Sequence, residues 1–375
     1  MLSKNLLNPI LSWPRDAKIP ICVACDVGGT GTNVRLSSFY DETKFIDLPK
    51  FKAQRSSDLI NGLHYISKVL KETVPNSFCR GSALSVAGPI NENTVVLPNW
   101  PGQYSHRTIS LSELPKDLFP VENSKFLNDT EATAYGILAV NSKYQLDDYF
   151  EKLFPENSPA GGPVNDRRTA IIYVGAGLGC SLIVKTPLFK RKIVVPTELG
   201  HLELPIVGHK NPDYNFEKDI VQYISNQHYD GELAIEFEDI VSGKGLCNVF
   251  QYFMNKSTGK KIPLSELEGG EIAKLASDKH PIAYKSLVLF NQMAIRSAKT
   301  ISTTMNCDSV ILTSNNQVAN HYIIKENYEK MKNEFYSFIR PDWMKTITIF
   351  TQIKNMNFSL FGTSSIAHDL GKRNQ

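Results

Sequence analysis

The stretch Ile21-Cys22-Val23-Ala24-Cys25-Asp26-Val27-Gly28-Gly29-Thr30 joins a short apolar run to an acid and a glycine turn. An apolar run of this length, bounded by a turn signal, reads as a buried strand over residues 20–25. The glycines let backbone approach an anion closely, Thr30 adds a hydroxyl donor, and the acid at the strand end can hold a metal-bound water. Taken alone, the Gly-Gly pair would serve a plain hairpin equally well. A second stretch, Val174-Gly175-Ala176-Gly177-Leu178-Gly179, repeats the arrangement about 150 residues later. It runs from strand into strand, whereas the Rossmann fingerprint needs a helix after its glycines. Two phosphate-type turns, each opening one half of the chain, suit a cleft that grips phosphates from both sides.

Cys22 and Cys25 have the spacing of a redox or metal pair, but residues three apart on a strand point to opposite faces. No second pair completes a zinc site, so both are expected to be core thiols. Outward from the first turn, residues 33–40 and 44–52 alternate as strands. Leu59, Ile60, Leu63, Ile66 and Leu70 then recur at helical spacing. Short strands at 83–87 and 125–127 precede a helix over 130–140, and 154–168 reads as a Pro/Gly/Asn-rich loop. Strands follow at 170–174, 181–185 and 193–195, then helices at 215–228, 245–255, 270–277 and 282–305. A strand at 309–312, a helix over 319–338, a strand at 346–350 and a helix from near Thr363 complete the chain. Two strand-rich blocks, each passing into helices, predict two α/β domains with a cleft between them. The expected division is an extension over 1–18, a small domain over 19–128 completed by a helix over 363–375, and a large domain over 129–362.

At about 150 residues per domain, 375 residues also make two. Hydrophobic residues at 42% and charged residues at 21% are ordinary for a globular protein and exclude wholesale disorder. The 41 basic and 38 acidic residues give a net charge of +3, too small and dispersed for a nucleic-acid protein. No run is long and apolar enough for a transmembrane helix. Six cysteines do not make a disulfide framework, which fits a reducing compartment. Residues 1–18 carry Lys4 and Arg15 and no acid before Asp16, a partial match to an organelle presequence, but Pro9 and Pro14 interrupt any helix there. The expected location is cytoplasmic, with organelle targeting as the alternative. The C-terminus carries no peroxisomal or retention address.

Three carboxylate motifs follow in chain order: Phe126-Leu127-Asn128-Asp129, Glu198-Leu199-Gly200-His201, and Glu238 four residues before Ser242-Gly243-Lys244-Gly245-Leu246. Asn99, in Leu97-Pro98-Asn99-Trp100, adds an amide. A hexose is a ring of hydroxyls, and carboxylates and amides suit vicinal hydroxyl pairs. Singly, each residue has an ordinary role open to it: Asn128 or Asp129 as a helix cap, Glu198 as a solvated acid, His201 as a structural histidine.

The two glycine turns resemble those of the sugar kinase, Hsp70 and actin superfamily, whose members share duplicated actin-like (ribonuclease H-like) α/β domains around an ATP cleft. Over about residues 20–370 the ordered motifs are similar to those of bacterial-type glucokinases, including their protist members. This resemblance implies an ATP:hexose 6-phosphotransferase that makes glucose 6-phosphate at the entry to glycolysis, with Asp129 as general base. It implies sugar contacts from Asn99, Asn128, Asp129, Glu198, His201 and Glu238. Phosphate contacts would come from Gly28, Gly29, Thr30, Gly175, Ala176, Gly177 and Gly179. Asp26 would orient Mg²⁺ through water, the metal arriving with ATP and no structural metal being needed. The expected partners are D-glucose and ATP, without nucleic acid or membrane, in a homodimer.

The chain departs from the family pattern in three places. Gly31-Thr32 intervenes before Asn33-Val34-Arg35, so the first turn is expected to be two residues longer. Ala176 stands where the family carries Thr, and Thr313-Ser314-Asn315-Asn316-Gln317 replaces an adenosine-side Gly-Gly turn. The alternatives are a kinase of fructose, mannose or an N-acetylhexosamine, and a non-catalytic sugar sensor or actin-type switch of the same fold. The first is disfavoured because no Cys/His cluster follows His201, the next cysteine being Cys247.

Overall fold

The computed structural model describes residues 4–13, 17–28, 31–143, 145–155, 161–185 and 192–373. The chain divides into two compact units, Met1–Tyr144 with Asn357–Gln375, and Gln145–Met356.

The first unit contains β1 (Ile19–Gly28), β2 (Gly31–Ser38), β3 (Asp41–Asp47), β4 (Ser77–Val86), the short β5 (Ile90–Asn91), β6 (Thr94–Val96) and β7 (Thr108–Ser110), and β8 (Ser124–Asn128). Its main sheet has the order β3-β2-β1-β4-β8, with β1, β4 and β8 parallel and β2 and β3 antiparallel. The apolar run of β1 is buried along both faces, as a central parallel strand requires. Cys25 packs in one core with Val23 and Val27, while Cys22 packs on the other face with Phe39, Ala83 and Ala367. Burial pushes the Cys22 thiol up to about 12 and the Cys25 thiol well above its ordinary value, so both stay neutral.

Helices α1 (Ser56–Thr73), α2 (Tyr104–Arg107) and α3 (Asp129–Lys143) belong to this unit, together with a C-terminal helix, Phe358–Lys372. The domain boundary expected after Asn128 falls after Tyr144 instead. Its cause is close packing of α3 on the C-terminal helix. A Cβ at Gly136 would meet the Phe358 carbonyl, and one at Gly362 the Ala132 carbonyl.

The N-terminal segment is likewise part of the core, not an extension. Lys4–Ser12 forms a 3-10 helix whose Leu7 and Ile10 are fully buried with Trp13 beside the α1 stripe Leu59, Leu63 and Ile66. Leu7→Ala is expected to cost about 2–5 kcal/mol in urea unfolding, against less than about 0.5 kcal/mol for the exposed neighbour Leu11→Ala. Equal small effects would mean that the segment is not held in the core.

The second unit contains β9 (Phe150–Phe154), β10 (Arg168–Val174), β11 (Leu178–Val184), β12 (Ile193–Thr197), β13 (Ser309–Thr313) and β14 (Thr348–Gln352). Their order is β12-β11-β10-β13-β14-β9. The first five positions repeat the other unit's sheet, with β10, β13 and β14 parallel and β11 and β12 antiparallel. Antiparallel β9 adds an edge strand at the start of the expected 154–168 loop. The helices are α4 (Tyr214–His228), α5 (Gly243–Thr258), α6 (Gly269–Ser277), α7 (Pro281–Thr304), α8 (Asn315–Glu326), α9 (Tyr328–Tyr336) and α10 (Pro341–Met344). The helix expected over 319–338 is thus two helices that meet at Asn327.

A buried ionic network ties three of these helices together. Arg296 on α7 bonds Glu217 of α4 at 2.7 and 2.8 Å and Glu334 of α9 at 2.8 and 2.9 Å. A further bond to the Pro205 carbonyl uses the last of its five N–H donors. Lys299 adds a contact to Glu334 at 3.0 Å. A cavity of about 960 Å³ lies beside this network, lined in part by Arg296, Lys299, Thr300, Asn333 and Glu334. Among the described residues, no helix is long and apolar enough to cross a membrane.

Candidate active site

In the first unit the candidate residues gather at the carboxyl ends of parallel strands, where open α/β sheets take their ligands. Val27, Val86 and Asn128 stand in one row across β1, β4 and β8. Asp26 and Asp129 therefore lie at the same end of this sheet, two strand spacings apart across it and two residues apart along the strands. Asp26 is held by three side chains: Asn33 Nδ2 at 3.3 Å, Asn357 Nδ2 at 2.9 Å and Ser359 Oγ at 2.8 Å. Ser359 spends its proton on Asp26, so at 2.8 Å it accepts from Ser85. A carboxylate has about four acceptor positions, so Asp26 keeps capacity for one more donor, such as a metal-bound water. The sequence offered no sign of Asn357 and Ser359, which lie more than three hundred residues away.

Gly28 pairs with Gly31 in the β1/β2 hairpin, so Gly31 and Thr32 lie in the ladder. The expected longer turn is thereby corrected: the additional residues lengthen the strand pair. Gly29 and Thr30 lie outside the described residues.

At the β8/α3 junction, Asn128 Oδ1 accepts the Thr130 N–H at 2.9 Å and the Thr130 hydroxyl at 2.6 Å. That commitment fixes the amide and leaves its NH₂ to offer a ligand. Asp129 begins α3, where a helix N-terminus favours negative charge, and its Oδ1 accepts the Thr130 N–H at 2.9 Å. Asn99 is exposed in a turn closed by Trp100 N–H to Leu97 O at 3.1 Å, between buried Leu97 and Trp100.

In the second unit Val174 pairs with Leu178, making Gly175, Ala176 and Gly177 the connection from β10 to β11. Gly179 lies one step into the ladder, opposite Tyr173. The Gly175 carbonyl accepts the Gly243 N–H at 3.0 Å, which docks the N-terminus of α5 onto the turn. Ser242 caps that helix, accepting the Gly245 N–H at 2.8 Å. Glu238 reaches the same place: its Oε2 accepts the Leu178 N–H at 2.7 Å.

Glu198 and His201 stand beside Glu238. A Cβ at Gly200 would collide with the Leu178 carbonyl, so only glycine lets the Leu199–His201 turn sit on β11. His201 Nδ1 lies 2.6 Å from Glu236 Oε2, and its Nε2 lies 3.8 Å from Glu198 Oε2. The bond to Glu236 raises the His201 pKa. Partial burial opposes this, and the charges of Glu236, Glu238 and Glu198 add to it. Glu236 was missed from the sequence; its only mark there was an acid two residues before Glu238. Glu198, Glu236 and Glu238 around one imidazole form an acceptor-rich surface suited to hydroxyl donors.

The turn after β13 is filled by side chains. Gln352 Oε1 accepts from the Thr313 hydroxyl at 2.6 Å and the Ser314 N–H at 3.0 Å, while Ser314 caps α8 through the Gln317 N–H at 3.0 Å. These bonds fix the turn to β14.

Two units with the same five-strand order, each with glycine in the sequence that links an antiparallel pair (β1 to β2, β10 to β11), define the actin-like (ribonuclease H-like) sugar kinase class. Residues 23–311 match the glucokinase family model. The chain belongs to the glucokinase family and so is a hexose phosphotransferase. It is 40% identical to glucokinase 1 of Trichomonas vaginalis over 375 residues, covering 100% of both chains. To probable glucokinase 2 of the same organism it is 39% identical, again over 100% of both. A crystal structure of glucokinase from Balamuthia mandrillaris in complex with glucose superposes with a TM-score of 0.90 at 30% identity, covering 98% of this chain and 100% of that one.

Proposed function

We propose that the protein transfers the γ-phosphoryl group of MgATP to the C6 hydroxyl of D-glucose, releasing ADP and glucose 6-phosphate. The observation that carries this reading is the Glu238 bond to Leu178 N–H at 2.7 Å, which puts a sugar-type acid and a phosphate-type turn in one framework. In this reading Asn99, Asn128, Glu198, His201 and Glu238 hold the sugar hydroxyls. Asp129 accepts the C6 hydroxyl proton as that oxygen bonds phosphorus and the bond from phosphorus to the bridging oxygen of ADP breaks. General-base help contributes about 10²–10⁴-fold, and the rest comes from positioning and charge stabilisation. Gly28, Gly29, Thr30, Gly175, Ala176, Gly177 and Gly179 line the phosphates, and Asp26 orients the Mg²⁺ that arrives with ATP. The same reading takes the cytoplasm as the compartment and a homodimer as the assembly, by likeness to the family.

ADP release from MgATP should be strong with glucose, weaker with mannose or fructose, and slow without sugar. Glucose binding without ADP release would point to a sensor or another phosphoryl donor. No response to any sugar would refute the reading.

A further inference from the structure

Two turns of the second unit meet edge to edge. Glu203 and Glu236 form an antiparallel bridge, flanked by Leu204 N–H to Ile235 O at 2.9 Å and Phe237 N–H to Leu202 O at 3.0 Å. Asp239 accepts the Glu236 N–H at 2.9 Å, and its carboxylate is held by the Tyr229 hydroxyl at 3.0 Å. The backbone that carries Glu236 is therefore fixed from two sides. Across the bridge, the 2.6 Å contact from Glu236 Oε2 to His201 Nδ1 has the length of a charge-assisted bond. Its proton belongs on Nδ1, because an ionised carboxylate can only accept. Nε2 is then the atom left for a ligand, and its protonation decides whether it donates or accepts.

We infer that Glu236 is a positioning residue of the sugar site: by holding Nδ1–H it keeps His201 an imidazolium, whose Nε2–H donates to a sugar hydroxyl. This rests on the reading that His201 contacts the sugar. The charged groups that act on the imidazole are all carboxylates: Glu198 after β12, and Glu236 and Glu238 on the facing turn. Below its raised pKa, His201 supplies the one donor among these acceptors. As pH climbs through that value, Nε2–H is lost, Nε2 becomes an acceptor facing Glu198, and sugar affinity falls.

The test follows glucose KM and kcat from pH 6 to 9 at saturating MgATP, for wild type, Glu236→Gln, Glu236→Asp and His201→Gln. Glu236→Gln should move the alkaline rise in glucose KM about one pH unit lower and raise KM roughly tenfold near pH 7.5. The kcat should change less than about threefold, and Glu236→Asp should restore most of the wild-type profile. If His201→Gln raises KM but the Glu236→Gln profile superposes on wild type, the role of Glu236 is overturned and the sugar site stands. A uniform rise in KM at every pH marks a merely structural role and overturns it as well. If His201→Gln leaves glucose KM unchanged, the site reading fails and takes this inference with it.

Discussion

Asp129→Asn is expected to lower glucose-dependent ADP release by about 10²-fold or more while glucose still binds with nearly wild-type affinity. The variant separates shape from proton transfer. Asn has the same outline, and its Oδ1 can still accept the Thr130 N–H that Asp129 takes at 2.9 Å. What it lacks is the ability to receive the C6 hydroxyl proton as that oxygen attacks phosphorus. The pair of measurements is turnover at saturating glucose and MgATP, and glucose affinity from the quenching of intrinsic fluorescence. Turnover within tenfold of wild type would move the base elsewhere. Loss of glucose binding would make Asp129 a binding group first.

Arg296→Met should strongly destabilise the second unit. Arg296 and Glu217 have side chains only 4% exposed, and Glu334 only 6%. Removing the guanidinium leaves buried Glu217 without its counter-ion and Glu334 with Lys299 alone, which costs about 3–5 kcal/mol. At about 2–4 °C per kcal/mol for a unit of this size, the unfolding midpoint should fall by roughly 6–20 °C. Burial alone would push Glu334 up, but the bonds and charge of Arg296, then Lys299, hold it down at about 2. An acid depressed on folding contributes stability above its unfolded value, near 4.3, and loses it as pH falls through the folded one. The gap between wild type and Arg296→Met should therefore narrow on acidification from about pH 4 to 2, which denaturant midpoints at several pH values would read. A gap below about 1 kcal/mol at neutral pH would sink the account.

Much of both sheets was legible in the sequence because their central strands are continuous apolar runs that end at glycine or at an acid. β1 and β10 are of this kind, and their ends carry Asp26 and the second glycine turn. The sugar-type acids were legible as motifs, each at a strand or helix end. β5 to β7 are two or three residues long, too short for any alternation to register. β9 is an edge strand whose Glu151 and Lys152 break its apolar pattern. The C-terminal helix begins at Phe358 because the Asn357 side chain accepts the Leu360 N–H at 2.9 Å, a cap that composition alone does not reveal. Glu236 and Ser359 escaped for a different reason. Their roles rest on contacts with partners 35 and 333 residues away, and such pairings leave no local periodicity.

The C-terminal helix also sets an order of events during synthesis. Between Tyr144 and Phe358 the chain must add about 210 residues before the first unit has its last helix. At roughly 5–20 residues per second, the earlier strands wait some 10–40 s, with Gly136 and Ala132 of α3 uncovered on the side that the helix will occupy. The second unit, one unbroken stretch, can close first. The unit whose strands are made before the other's is the one completed after it, and during that interval it is the nascent chain's exposed apolar surface that a ribosome-bound chaperone would meet.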